Sequence, residues 1–319
     1  MRNLRRFLSH WQNLLALGIV ALYILVAIFA PVLAPPKDPE NFSPFLIVDG
    51  LKSRTPLPPS EKAIFGTLAT GILLRQLDIY YTVIWGTRSA LKFGLLVALS
   101  TALIGVAIGA ISGFVGGWFN GLTMRVTDAF LAFPIIAGVV LFQSLILKAN
   151  PTPIDQLAMT SGQPAESFSL RAMIAQVNPV MLALILFSWM SYARITNTMV
   201  LRLKQAEFVQ AAHALGATSS QIIWRHLVPN SISPSIVLVA RDIGLVVLLQ
   251  ATLTFIGIGG ESEWGILLAV GRQWILGIGG NPLTYWWVFI PATLALALFG
   301  IGWNLLGDGL NDLLNPREN

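Results

Sequence analysis

The stretch "QAAHALGATSSQIIWRHLVPN", Gln210 to Asn230, is a polar interlude in a chain that is otherwise mostly hydrocarbon. Its residues are ordered like two short helices. Phe208, Ala211, Ala212 and Leu215 recur at i, i+3, i+4 and i+7, one stripe of a helix, and Lys204, Glu207 and Gln210 lie away from that stripe. Gly216 follows where a helix C-terminus favours a left-handed residue. Thr218 to Gln221 ("TSSQ") then has the spacing of a capping box, and Ile222, Ile223 and Leu227 give a second helix an apolar side. Pro229 marks the entry to the next long apolar run. The pattern predicts a helix–turn–helix elbow over residues 203–229. Two readings fit it: a plain joint between membrane helices, or a docking element for another protein.

The flanks show what the elbow is attached to. Of 319 residues, 55% are hydrophobic and 11% charged, against roughly 25% charged in soluble domains, and the mean hydropathy is +0.71. Six apolar runs centre on Leu14–Leu33, Phe93–Phe119, Ala129–Leu147, Ala172–Ala193, Ser231–Ile258 and Leu283–Leu306. Each is long enough to cross roughly 30 Å of hydrocarbon. The expected fold is all-α and integral to the membrane, with six transmembrane helices and the elbow between the fourth and fifth. Residues 1–34 hold the N-terminal tail and first helix, 35–88 an extracytoplasmic loop, and 89–319 a core of five further helices. The N-terminus starts basic, like a signal peptide, but its apolar stretch from Leu14 to Leu33 exceeds the roughly 7–15 residues of a signal core and reads as an uncleaved helix.

Arg2, Arg5 and Arg6 place the N-terminus in the cytoplasm by the positive-inside rule. Six crossings bring the C-terminus there as well, and the elbow too, with Arg194, Arg202, Lys204 and Arg225. The loop from Pro35 to Lys92 fits that rule poorly, because it carries seven basic residues; its length weakens the constraint. Its proline-rich segments "APPKDPE" and "TPLPPSE" suit extended or irregular structure better than regular elements. Neither it nor the polar loop Ala149–Arg171 has the apolar content of an independent domain.

The net charge of +5 reflects Lys and Arg in loops rather than nucleic-acid binding. Without cysteine there is no disulfide, thiol nucleophile or thiolate metal site. The three histidines, His10, His213 and His226, lie outside the apolar runs, no H-E-x-x-H occurs, and "GAISG" (Gly109 to Gly113) is not a serine-nucleophile elbow. These absences argue against an enzyme. No G-x-x-x-x-G-K-[ST] occurs, so no phosphate loop for ATP is present.

Within the apolar runs, Arg241 and Asp242 are conspicuous. Each would cost about 2.5–3.5 kcal/mol facing lipid at the bilayer centre, so each needs a partner or a watery cavity. Pairing within the bundle and a pathway or gate role both fit. Arg125 and Asp128 have the spacing of an i,i+3 pair. Gly105, Gly109, Gly113 and Gly117 form a ladder on the second helix, where another backbone can approach closely. Tight packing and a moving helix interface both use such a device.

The elbow resembles the EAA loop of permease subunits from binding-protein-dependent ABC importers, roughly E-A-A-x-x-x-G followed by an Ile/His-x-x-Pro ending. The matching residues are Gln210, Ala211, Ala212, Gly216, His226 and Pro229, with glycine and proline 13 positions apart as in that family. "WGTRSAL" (Trp85 to Leu91), "GGWFNGLTMRVTDAFLAFP" (Gly116 to Pro134), "LTFIGIG" (Leu253 to Gly259) and "NLLGDGLNDLLNPR" (Asn304 to Arg317) resemble the dipeptide/oligopeptide branch, C-type subunit, over about residues 85–317. Departures exist: Gln210 stands where the family has glutamate, and its "GTDxxGRD" segment survives only as Gly66, Thr67 and Gly71.

The resemblance implies a type I importer permease in a prokaryotic inner membrane. Its implied partners are a second homologous permease, one or two P-loop ATPases carrying ATP and Mg, an extracytoplasmic substrate-binding protein, and membrane lipid. It implies that this chain binds no cofactor or metal itself, that the elbow docks on the ATPase, and that Asp242 occupies an acidic family position. Substrates in that branch are di- and oligopeptides, nickel chelates and some oligosaccharides. The competing classes are an ion-coupled secondary transporter, which would often show an internal repeat, and a membrane scaffold that docks a protein without transport.

Overall fold

The computed structural model describes residue 7 and residues 9–38, 40, 42–70, 74–147, 178–259, 261–277 and 280–314. The N-terminal arginines, Gly71, the loop Ala149–Arg171 and the last five residues lie outside that set. Two compact units form: Met1–Leu96 with Val239–Asn319, and Val97–Leu238. Among the described residues, five helices are long and apolar enough to cross a membrane, or six if one bent pair counts as a span.

In the first unit, helix α1 (Trp11–Leu33) buries Ala16, Val20, Tyr23, Ala27 and Ala30, a stripe of mostly small residues. Small side chains let a neighbouring helix approach closely. The Tyr23 hydroxyl donates to the Ala295 carbonyl at 2.7 Å, and its ring meets Phe299 edge-on at 5.2 Å.

Among the described residues the two proline-rich segments form no strand, as expected, but the stretches between and after them pair into a sheet. Strands β1 (Ile47–Lys52), β2 (Thr67–Ala69) and β3 (Arg75–Asp78) pair antiparallel in the order β1-β3-β2. One fully buried side chain ties them: Gln76 accepts from the Thr67 hydroxyl at 2.7 Å and donates to the carbonyls of Ser53 and Thr55 at 2.8 and 3.3 Å. Such a hub leaves no hydropathy signal. The next helix, α2 (Ile79–Val115), starts well before the apolar run that announces it, because Asp78 accepts the Tyr81 N–H at 3.1 Å and caps it.

In the second unit, the third apolar run is not one helix. Helix α3 (Gly117–Ala132) and helix α4 (Ile135–Leu147) meet at 86°. Pro134 lacks an N–H and disfavours helical backbone before it, and Phe133 is accordingly extended at φ −82°, ψ 130°. The fourth span comprises α5 (Pro179–Ser188) and α6 (Met190–Leu203), running ten residues past the expected end at Ala193. Asn178 opens it, its side chain accepting from the N–H groups of Val180 and Met181. The extension holds because Thr196 and Asn197, polar in sequence, are buried and hydrogen-bonded.

The elbow comprises α7 (Glu207–Ala214), α8 (Ser219–Gln221), a π-helical turn (Ile222–Leu227) and α9 (Val228–Ser231). Helix α10 (Ser233–Phe255) follows; α11 (Glu263–Leu276) and α12 (Trp286–Leu314) complete the first unit.

Candidate functional site

The elbow is built as its sequence spacing dictates. Gly216 has φ +84° and stands in open space. Its N–H bonds to the His213 carbonyl and that of Ala217 to the Ala212 carbonyl, both at 3.0 Å, the paired bonds of a Schellman motif. Thr218 and Gln221 form the capping box reciprocally: Gln221 N–H donates to the Thr218 hydroxyl, and Thr218 N–H to the Gln221 side chain. Within the π-helical turn, the Val228 N–H reaches back five residues to the Ile223 carbonyl. Pro229, next in line, has no N–H to restore the α register.

The elbow has two faces. Its underside, Val209, Ala212, Ile222, Ile223 and Leu227, is buried with Ala110 and Val200, and with Phe114 and Leu203 packed alongside. Its upper face leaves Phe208, Leu215 and Trp224 exposed at 42%, 88% and 48%. The expected stripe therefore splits: Ala212 turns inward, whereas Phe208, Ala211 and Leu215 face out. Val209 takes the inner position instead, clustered with Ala110 and Val200 and with Phe114 packed alongside. Gln210 is exposed and donates to the Gln205 carbonyl at 3.2 Å. Glu207 is exposed in the first turn of α7. His226 is half-buried, and its carbonyl accepts from Asn230 at 2.6 Å.

Two contacts fasten the elbow's approach to the end of α2. The Lys204 ammonium donates to the Phe114 carbonyl and lies 5.5 Å from the Phe114 ring centre, while His213 stacks over that ring at 6.3 Å.

Three of the four ladder glycines serve close packing. A side chain at Gly105 would meet the Trp189 carbonyl at 2.3 Å, one at Gly109 the Ala193 carbonyl at 2.3 Å, and one at Gly113 the Val200 side chain at 3.0 Å. Gly117 departs from the ladder: it lies beyond the end of α2, at φ +56°, with nothing nearby. Beside the ladder is a polar hub that hydropathy conceals. Asn197 donates to Ser112 at 2.9 Å and to Asn120 at 2.6 Å. Asp128 pairs with Arg194 at 3.2 Å rather than with Arg125.

Arg241 is ion-paired with Asp308 on α12, which supplies the partner its position demands. Asp242, next to it, is half-buried. A further carboxylate, which no sequence motif marks, is Glu263: buried at the start of α11, it accepts the Ser89 hydroxyl at 2.5 Å. Burial pushes its pKa up, and the Ser89 hydrogen bond partly offsets that. Beside it Trp264 donates to the Val83 carbonyl at 3.1 Å, directly against Gly86.

Residues 105–319 match the family described as binding-protein-dependent transport system inner membrane component. The chain belongs to that family. Residues 2–49 match the N-terminal transmembrane domain of oligopeptide transport permease C. This permease is 31% identical to the probable D,D-dipeptide transport system permease protein of Escherichia coli (strain K12), over 94% of this chain and 85% of the other. It is 30% identical to the dipeptide transport system permease protein of Alkalihalophilus pseudofirmus, over 95% and 85%, and to the oligopeptide transport system permease protein of Bacillus subtilis (strain 168), over 98% and 88%. The family comprises transport components rather than enzymes.

Proposed function

We propose that this chain is the permease subunit of an ATP-driven peptide importer, forming half of the translocation pathway beside a second, homologous permease. One or two P-loop ATPase subunits, holding ATP and Mg, dock on the elbow from the cytoplasm, where both termini also lie. An extracytoplasmic binding protein delivers the di- or oligopeptide. The observation that carries this reading is the two-faced elbow: an apolar underside fixed to the membrane helices and an exposed upper face with Phe208, Leu215 and Trp224. Caps at Gly216 and Thr218 make it a rigid lever. Gln210 and Ala211 present the matching motif outward, and Gly216 and Pro229 set its bends.

The test is purification of the tagged chain from its host in mild detergent, with identification of its companions, followed by ATPase assay in reconstituted vesicles. A second permease and P-loop ATPases should co-purify, and peptide-loaded binding protein should stimulate ATP hydrolysis. A chain recovered alone, taking up substrate on an ion gradient without ATP, would sink the reading. Companions without stimulation would mark a scaffold.

A further inference from the structure

We propose that a cavity at the sheet-bearing end of α1 binds the phosphate of an anionic phospholipid. The cavity holds about 410 Å³, and Pro31, Pro36 and Phe42 form one wall. The facing wall is one stripe of α2, Trp85, Arg88, Ser89 and Lys92, at i, i+3, i+4 and i+7. The stripe lies on α2 just before the apolar run that begins at Phe93, and it carries two cations.

Neither cation has a carboxylate partner among the described residues: the ion pairs there are Lys37–Asp49, Asp128–Arg194 and Arg241–Asp308. Glu263, the acid nearest the stripe, is engaged with the Ser89 hydroxyl, and its burial favours the neutral form. The Arg88 guanidinium lies 5.5 Å over the Trp85 ring. That ring is fixed by its N–H bond to the Ala34 carbonyl at 2.9 Å and by Phe42 at 4.3 Å. A guanidinium within cation–π reach of an indole face still has N–H groups to offer a phosphate. Lys92 adds a second charge one turn along.

The place selects a lipid over a soluble anion. Helix α1 has 23 residues, about 34 Å at 1.5 Å per residue, so its last turn reaches the boundary of roughly 30 Å of hydrocarbon. Pro31 and Pro36 therefore stand at phosphate depth. Ile28, Phe29 and Val32 on the same turns are exposed and offer apolar surface to acyl chains. Two unneutralised cations favour a headgroup of net negative charge over a zwitterion. The site also accounts for part of the basic excess in the segment from residue 35 to 92, which fits the positive-inside rule poorly.

The test is native mass spectrometry of the intact complex titrated with phosphatidylglycerol and phosphatidylcholine. The double variant R88Q/K92Q should lose about tenfold or more in phosphatidylglycerol affinity, with phosphatidylcholine and the control Lys62→Gln unchanged. Wild-type affinity in the double variant overturns the proposal. Displacement of the lipid by millimolar inorganic phosphate also overturns it, identifying a free-anion site. In the unsubstituted protein, a phosphatidylglycerol with a photoreactive headgroup should cross-link to residues 85–92; labelling confined to other segments overturns the proposal without any variant having to fold.

Discussion

The elbow and the sheet both join membrane helices, yet they are held in opposite ways. The elbow rests on an apolar underside of Val209, Ile222, Ile223 and Leu227; its capping bonds are local to itself, and Lys204 at its approach ties it to α2. The sheet hangs on one buried amide, Gln76, bonded to three groups across its strands. Apolar burial is non-directional, so a body seated mainly on it has few directional bonds to break when it shifts. Hydrogen bonds to a buried amide fix one geometry and fail together. The first arrangement suits a moving lever, the second a static platform.

The largest effects are expected at the elbow's seat. Ile222→Ala or Leu227→Ala should cost about 2–5 kcal/mol, read as thermal unfolding of the complex, with ATPase subunits lost on purification. A cost below about 1 kcal/mol would mean the underside is not what anchors it. Next, Gln76→Leu should cost about 1–3 kcal/mol by orphaning buried groups. Limited proteolysis should then cut between residues 53 and 67 while ATPase subunits stay bound; their loss would join the two regions that the comparison separates.

Gly216→Val should cost about 1–2 kcal/mol, all of it backbone, since nothing surrounds the site. Transport should fall while membrane insertion persists; wild-type transport would remove the rigid lever. The smallest effect is a pH dependence. Glu263 has its pKa raised in the folded state, so the native chain holds the proton more tightly than the unfolded one. Its contribution is therefore fullest below the ordinary value of 4.5 and is lost as pH rises through the raised value. Glu263→Gln should flatten that decline in melting temperature; an unchanged slope would assign it to other groups.

Local chemistry was the legible part of the sequence. Gly216, Thr218 and Gln221 act within a few residues of themselves, so spacing alone announced the turn and its cap. The long apolar runs announced the spans, and small residues at intervals of four announced the seam that Gly105, Gly109 and Gly113 make. Gly117 shares the spacing but not the helix, since spacing carries no backbone angle. Likewise Phe208 and Val209 are both apolar, and only the neighbouring Phe114 and Ala110 decide which turns inward. The sheet escaped notice because its short strands are organised by a glutamine, and the hub at Asn197 because polar residues read as the end of a span. Pro134 was visible, but a proline says that a helix breaks and not that it turns by 86°.

The contact between Lys204 and the Phe114 carbonyl carries a consequence for surface chemistry. An amine committed to a helix-end carbonyl and an aromatic face is a poor nucleophile toward acylating reagents, unlike an amine free in solvent. In a lysine footprint of the isolated subunit, half-buried Lys204 should label slowly and exposed Lys62 quickly. Once acylated, Lys204 has lost the charge that joined two helices, so the late phase of labelling reports the elbow coming loose.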